Sequence, residues 1–139
     1  MLKNGILVFI GGGIGAAARE LLMLVVVANL PGGFPMPIFI ANMTAALLIG
    51  VLSALTITGG VIGSGGKLLL TTGILGGLST FSSFIWGTHQ MLANVAEQAS
   101  AIVYLVLSMV AGFLLVELGL WLGGRLMRSH MEAADAREK

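Results

Sequence analysis

The longest run without a charged side chain covers 46 residues, from Leu21 to Gly66, in a chain of 139 residues. A transmembrane helix needs about 20 mostly apolar residues, so this run can hold the end of one span and the whole of another. Over the whole chain 57% of the residues are hydrophobic and 9% are charged, whereas a soluble domain has about 25% charged residues. A chain this short cannot hide so much apolar surface in its own core, so we expect lipid around it.

Three breaks in the apolar pattern predict four transmembrane helices. The break at 29–37 contains all three prolines, which disfavour helix, and the break at 58–66 is rich in glycine. The third break, at 87–98, is polar. The predicted spans are residues 5–28, 37–58, 67–90 and 99–127, within a transmembrane domain of residues 1–127 that is followed by a charged tail at 128–139. We therefore expect an all-α integral membrane protein, whose first span is retained because further apolar segments follow it.

Basic residues fall on one side of the predicted membrane. An even number of spans puts both termini on the same side, and that side holds six basic residues: Lys3, Lys67, Arg125, Arg128, Arg137 and Lys139. The loops on the other side hold none, so the positive-inside rule predicts cytoplasmic termini. The net charge of +1 gives no basic field for nucleic acid, and the lack of cysteine excludes disulfides and thiolate metal sites.

Glycines recur at helical spacing, and the chain contains 21 of them. Gly11 and Gly15 share a face of span one, as do Gly73 and Gly76 or Gly77 in span three. Small residues let helices approach closely in lipid. The GGGIG sequence of span one lacks the Lys-Ser/Thr ending of a phosphate loop, so we interpret it as a packing surface. Four thin helices enclose little interior, so we predict an oligomer, most simply a dimer, with any polar pathway between its subunits.

The segment GILGGLSTFSSF, residues 73–84, joins adjacent glycines to four hydroxyl side chains in the middle of span three. This composition weakens a helix, and irregular backbone at membrane depth is tolerated only where protein or water covers it. A break frees carbonyl oxygens, which suit a hard cation such as sodium, and creates a helix N-terminus, which suits an anion. Beside such a break, the ring edges of Phe81 and Phe84 can line an anion route, and we favour that role over ordinary packing.

Three further polar side chains within the spans each allow two interpretations. The amide of Asn42 can join two helices, or it can donate hydrogen bonds to an anion without carrying a charge. Tyr104 and Ser108 are spaced i, i+4 on one face of span four. They form either a short polar track or hydroxyls that bond back to their own helix.

Two adjacent charges, Arg19 and Glu20, lie about two thirds of the way along span one. Charges at such depth usually face protein or water. Glu117 of span four is a candidate partner for Arg19. We favour a structural role for these charges over a role in transport.

The order of these motifs along the chain resembles that of the CrcB/Fluc family of fluoride channels, and the resemblance covers essentially the whole chain. The matching features are GGGIGAAAR in span one, Asn42 in span two, GGLSTFSSF in span three, and Tyr104 with Ser108 in span four. The resemblance implies passive, selective export of fluoride from a bacterial cell through its plasma (inner) membrane, which reduces fluoride toxicity. It also implies an antiparallel dimer with two pores, in which the third helix is broken in the middle of the membrane. A narrow pore of neutral donors can replace the water around a small, strongly hydrated anion.

The resemblance assigns roles to individual residues. It implies that the main-chain carbonyls of Gly76 and Ser79 hold a structural sodium ion at the dimer centre, and that Arg19 is structural. The implied fluoride pathway is formed by Asn42, Phe81, Ser82, Ser83, Phe84, Tyr104 and Ser108. Ile85, Gly87 and Gly112 depart from the family pattern, because they stand where a hydroxyl, an acidic residue and a further hydroxyl are usual.

The partner subunit and one alternative function stay open. An antiparallel homodimer requires one sequence to insert in both directions, which the charge bias opposes. The second subunit is therefore either another copy or an oppositely oriented homologue. The alternative is a small multidrug-resistance type exporter that couples protons to substrate through Glu20. We favour the channel because an exporter leaves the break in span three unexplained, and we expect no enzyme because no nucleophile–base pair is visible.

Overall fold

The computed structural model describes residues 2–29, 34–59 and 62–135. These residues form helices and contain no strand. The elements are α1 (Leu2–Asn29), α2 (Met36–Gly59), α3 (Ser64–Lys67), a π-helical segment (Leu68–Leu75), α4 (Gly76–Leu78), α5 (Phe81–Ala93), a short 3₁₀ turn (Val95–Glu97) and α6 (Gln98–Asp135).

Within the described residues, four stretches are long and apolar enough to cross a membrane: Leu2–Val26, Met36–Thr56, Ser64–Ala93 and Val95–Ala133. The predicted all-α membrane fold with four spans is therefore confirmed. Elements α3 to α5 together make up the third stretch. The first part of the predicted tail continues α6 as helix to Asp135, whereas Arg137 and Lys139 lie outside the described residues.

Glycines of α1 fit directly against the backbone of the third span. A Cβ atom built on Gly11 would lie 2.5 Å from the carbonyl oxygen of Leu69 and 2.8 Å from Cα of Gly73. A Cβ on Gly15 would overlap the carbonyl oxygen of Ile74. The contact positions rise together along both helices, so α1 and the third span run parallel. The packing role predicted for Gly11 and Gly15 is confirmed.

A second glycine contact joins α2 to α6, which share the most extensive interface in the described structure. A Cβ on Gly50 would overlap the carbonyl oxygen of Val116, and one on Gly119 would overlap that of Leu47. Further along, a Cβ on Gly123 would lie 2.6 Å from the carbonyl oxygen of Val51. These two helices also run parallel. The bundle thus consists of two parallel helix pairs with opposite directions.

An aromatic cluster fills the end of the bundle where α2 and α6 begin. The side chain of Tyr104 is completely buried there. Its ring lies 5.0 Å from that of Phe34, 5.2 Å from that of Phe84 and 6.5 Å from that of Phe39, centroid to centroid. The cluster fixes the position of α5 against α2 and α6, because each of these helices contributes a ring.

The other end of the bundle carries the basic residues. There α1 and the third span begin and α6 ends, so Lys3, Lys67, Arg125 and Arg128 lie at one end. The Arg125 guanidinium lies 4.7 Å from the centroid of the Trp121 ring, which is a cation–π distance. This end corresponds to the side for which the charge bias predicts a cytoplasmic location.

Candidate functional site

The third span changes backbone conformation in its middle. After the π-helical segment, α4 ends at Leu78, and the next two residues are extended: Ser79 has φ −74° and ψ 153°, and Thr80 has φ −151° and ψ 116°. The new helix α5 begins at Phe81. Departures from regular α-helix of this kind frequently mark functional sites.

The side-chain amide of Asn42 binds both backbone groups of Thr80. The Thr80 N–H donates to Asn42 Oδ1 at 2.8 Å, and Asn42 Nδ2 donates to the Thr80 carbonyl oxygen at 3.3 Å. The amide thus replaces the helical partners that Thr80 lacks, as buried backbone groups require. Asn42 Nδ2 carries a second N–H, which has no partner among the described residues.

Thr80 also caps the helix that follows it. Its Oγ1 accepts a hydrogen bond from the Ser83 N–H at 3.2 Å. The same oxygen lies 3.1 Å from Ser83 Oγ and 3.2 Å from Ser82 Oγ. Thr80 is 8% exposed and joins Asn42 to the two predicted pathway serines. Sequence reasoning did not include Thr80 among the site residues, although a hydroxyl directly before an apolar helical run is a typical N-cap signal.

Arg19 reaches the interruption from α1. Its Nη1 atom lies 3.5 Å from the carbonyl oxygen of Ser79. Among the described residues, Arg19 forms no ion pair with Glu117, the partner considered from the sequence. The helix pairing explains this difference, since α1 packs against the third span whereas α6, which carries Glu117, packs against α2.

Two carbonyl oxygens lose their helical donors at the interruption. In a continuous helix the Gly76 oxygen would accept from the Thr80 N–H, which instead donates to Asn42. The Ser79 oxygen would accept from the Ser83 N–H, which instead donates to Thr80 Oγ1. Gly76 is exposed on the surface of this subunit. Carbonyl oxygens are suitable ligands for a hard cation, so these two residues fit the sodium-binding role that the resemblance implies.

An open groove of about 360 Å³ runs beside the interruption. It brings together the predicted residues Asn42, Gly76, Ser79, Phe81 and Phe84. Thr80 and Thr71 also line it, and Thr71 was not predicted as a site residue. The Thr71 hydroxyl donates to the Lys67 carbonyl oxygen at 2.6 Å, which is the ordinary behaviour of a helical threonine and gives no distinct sequence signal.

Aromatic rings connect this groove to the interior of the bundle. Phe81 is 75% exposed, and its ring centroid lies 6.2 Å from that of Phe84. Phe84 in turn lies 5.2 Å from Tyr104. The rings thus form a continuous series from the surface groove to the buried Tyr104.

The predicted polar track of α6 contains two hydroxyls without partners. Tyr104 OH and Ser108 Oγ are buried, and neither atom has a hydrogen-bond partner in the described part of the chain. Buried polar groups in folded proteins nearly always have partners, so an exception needs an explanation. The track does not continue at Gly112, where the atom nearest to a built Cβ is Cε of Met43 at 3.6 Å.

Comparison with known families agrees with this geometry. The family model described as "CrcB-like protein, Camphor Resistance (CrcB)" matches residues 6–120. The chain belongs to the CrcB family. The resemblance identified from the motifs is therefore confirmed, and the match extends from the first span of this CrcB chain into the fourth.

Curated relatives of this CrcB chain carry the name of a channel. "Fluoride-specific ion channel FluC 3" of Yersinia pseudotuberculosis is 48% identical over 118 residues, which are 85% of this chain and 87% of the relative. "Fluoride-specific ion channel FluC" of Clostridium perfringens is 39% identical over 118 residues, 85% of this chain and 91% of the relative. The protein of the same name from Methylobacillus flagellatus is 39% identical over 128 residues, 91% and 96% of the two chains. These names are those of a channel and not of an enzyme.

Proposed function

We propose that this chain is a fluoride-selective passive channel that exports cytoplasmic fluoride and reduces its toxicity. The observation that carries the proposal is the groove at the interruption of the third span, where the lining side chains are neutral. Amide and hydroxyl donors there can replace fluoride's water without the trapping that a fixed cation would cause. The names of the relatives support fluoride as the transported ion.

The fluoride pathway passes from neutral donors to ring edges and on to the polar track. The second N–H of Asn42 serves an ion in the groove, and the Ser82 hydroxyl serves it in the adjacent pocket that Phe81 also lines. The positive ring edges of Phe81 and Phe84 then guide it without binding it tightly. The hydroxyls of Tyr104 and Ser108, which have no partner within the described subunit, provide donors further along. Ser83 belongs to the same network through Thr80.

The working channel is an antiparallel dimer with a structural sodium ion at its centre. A groove that is open on one side of a subunit surrounded by lipid needs a second subunit to close it. The main-chain carbonyls of Gly76, which is an exposed residue, and of Ser79 in each subunit would hold the ion between them. When bound, the ion supplies fixed positive charge between the two subunits. Arg19 positions the Ser79 carbonyl and so has a structural role.

The channel lies in the bacterial plasma (inner) membrane, with cytoplasmic termini for this subunit. The bundle end that carries Lys3, Lys67, Arg125 and Arg128 then faces the cytoplasm. The antiparallel partner is either another copy of this chain, inserted in the opposite direction, or an oppositely oriented homologue. The strong charge bias at one end favours the homologue, because it opposes dual insertion of a single sequence.

Fluoride efflux from proteoliposomes tests the function. Vesicles that contain only this chain are loaded with potassium fluoride, and efflux is started with valinomycin and followed with a fluoride electrode. We expect fast efflux of fluoride, no comparable efflux of chloride, and loss of the flux in Phe81→Ile. Glu20→Gln serves as a matched control, because it removes the acid on which the exporter alternative depends.

The outcomes separate the two functions. Selective efflux that survives in Glu20→Gln supports the channel. If this chain alone gives no fluoride efflux, it is co-expressed with an oppositely oriented homologue. Absence of efflux from that pair would overturn the proposed channel function. Proton-coupled uptake of an organic cation that is lost in Glu20→Gln would establish the exporter instead.

A further inference from the structure

A second face of α5 continues from Phe81 toward the end of the third span, and the proposal above does not use it. Phe81, Ile85 and His89 are spaced four residues apart, so they share one face of the helix. Together with Ser82 and Trp86 they line one open pocket on the surface of the subunit. An ion that passes Phe81 along this face would meet Ile85 and then His89.

The imidazole of His89 rests against an aromatic ring. Its centroid lies 5.9 Å from that of Trp86, with an angle of 33° between the ring planes. Tryptophan is the aromatic side chain that best accommodates a cation on its face. Trp86 therefore packs against the imidazole beside the open pocket.

No fixed charge of the opposite sign faces His89 from the described helices around it. The elements packed against α5 are α2, α6 and the 3₁₀ turn. Helix α2 has no charged residue, and α6 has none before Glu117. Glu97 of the turn lines a neighbouring pocket with Trp86 but does not line the pocket of His89. Its Oε1 accepts a hydrogen bond from Asn94 Nδ2 at 3.0 Å.

Helix α1 approaches this region through Met23, which lines a neighbouring pocket with Trp86. Its charged residues lie earlier in the chain: Arg19 contacts Ser79 at the interruption, and Glu20 is exposed. The basic residues Lys3, Lys67, Arg125 and Arg128 lie at the opposite end of the bundle. His89 is thus the one described side chain on this face that can take up positive charge.

We propose that His89 is an ion-positioning residue in the pocket that adjoins the fluoride pathway at Phe81, and that its protonation accelerates fluoride conduction. The inference rests on the proposed channel function. Histidine changes its charge between about pH 5 and 8, whereas the hydroxyl and amide donors of the pathway do not. The protonated ring attracts the anion to the pocket beside Phe81, and the neutral ring leaves that pocket uncharged. Conduction therefore rises as the pH falls through this range.

A channel that conducts faster in acid would suit the way in which fluoride enters cells. Fluoride crosses membranes as neutral hydrogen fluoride, which is more abundant in acid surroundings, and is trapped as the anion in the more alkaline cytoplasm. His89 lies at the bundle end opposite the basic residues, which is the outer end if those residues are cytoplasmic. Its protonation would then report external acid directly.

Single-channel recording in planar bilayers tests the inference, using the channel assembly that conducts in the efflux assay. Fluoride and pH are equal on both sides, and the pH is stepped from 8.5 to 5.5. We expect the wild-type conductance to rise about two-fold or more. His89→Gln removes the rise, and His89→Lys keeps a high conductance at both pH values. His130→Gln, which changes the histidine near the end of α6, retains the wild-type response.

Each outcome decides one question. A wild-type conductance that does not change with pH, or a pH response that survives in His89→Gln, would overturn the role of His89 and leave the channel function intact. The absence of fluoride current at every pH would overturn the proposed function itself. A response lost in His89→Gln and kept in His130→Gln supports the inference.

Discussion

Asn42 and Thr80, 38 residues apart in sequence, form a reciprocal pair in which one side-chain amide binds both backbone groups of one residue. The pair joins α2 to the interruption of the third span at the level of the groove. It resembles the pairing of two strands at a single residue. An amide is the side chain that can both donate and accept in this way without carrying a charge.

Asn42→Asp tests this pair. Aspartate keeps an acceptor for the Thr80 N–H but places a second oxygen against the Thr80 carbonyl oxygen, so the donor is lost and repulsion replaces it. We expect a loss of about 1 to 3 kcal/mol in stability and a fall of ten-fold or more in fluoride efflux. Thermal melting in detergent and the efflux assay measure the two effects. Asn94→Asp is the control, because it also replaces an amide donor by an oxygen that faces an acceptor, Oε1 of Glu97, but it does so at an exposed site outside the groove. Equal behaviour of the two variants would contradict the importance of the pair.

Gly15→Ala is expected to disrupt the packing of α1 against the third span. The new methyl group would overlap the Ile74 carbonyl oxygen, which is backbone and cannot move aside. Overpacking of this kind costs about 1 to 3 kcal/mol. Gly13→Ala offers a matched control two residues away, since a Cβ on Gly13 has no atom within 4 Å. Size-exclusion profiles and melting curves should separate the two variants, and a Gly15→Ala protein as stable as Gly13→Ala would refute the predicted clash.

Removal of the unpartnered hydroxyls of Tyr104 and Ser108 should slow fluoride conduction with little change in the stability of the protein. Tyr104→Phe and Ser108→Ala delete no hydrogen bond within the described subunit, because neither oxygen has a partner there. We expect stability to remain within about 1 kcal/mol of wild type while fluoride efflux slows several-fold. The contrasting variant is Thr88→Val, which removes a hydroxyl that donates to the Phe84 carbonyl oxygen at 2.8 Å and does not line the groove. Unchanged efflux in both track variants would exclude these hydroxyls from the pathway.

Sodium removal is expected to weaken the assembly. If the Gly76 and Ser79 carbonyls bind sodium, replacement of sodium by N-methylglucamine removes their shared ion, leaves the Ser79 oxygen with Arg19 alone, and lowers the melting temperature of the purified protein. When sodium is added back, the melting temperature should rise to a plateau as its site fills. An effect of ionic strength alone would show no such plateau. Choline chloride at the same concentration is the control, and an equal effect of choline and sodium would remove the case for a specific site.

Patterns along the chain were sufficient to predict the four spans and part of their packing. Apolar runs and their breaks identify the helices, because the bilayer fixes their length and composition. The spacing of Gly11 and Gly15 predicted the face that meets the third span. The glycine contact between α2 and α6 could not be predicted in the same way. Gly50 lies on α2, whereas Gly119 and Gly123 lie on α6, so the three glycines form no motif within one segment.

The site itself was less accessible to sequence reasoning. The composition around Gly76 and Gly77 predicts weakened helix, but it does not reveal that the extended residues are Ser79 and Thr80. The partner of Thr80 lies on another helix, so no local pattern predicts it. The same limit explains why Glu117 was only a candidate partner for Arg19, whereas the helix pairing brings Arg19 to Ser79.

The length of α6 has a mechanical consequence. Its 38 residues extend about 57 Å at 1.5 Å per residue, whereas the hydrocarbon core of a bilayer is about 30 Å thick. If its first turns lie at the membrane boundary, the turns after the Trp121–Arg125 stack project into water as a rod. Such a rod keeps neighbouring proteins at a distance from this end of the bundle. A reporter attached to the end of α6 would show on which side of the membrane that end lies, without touching the membrane.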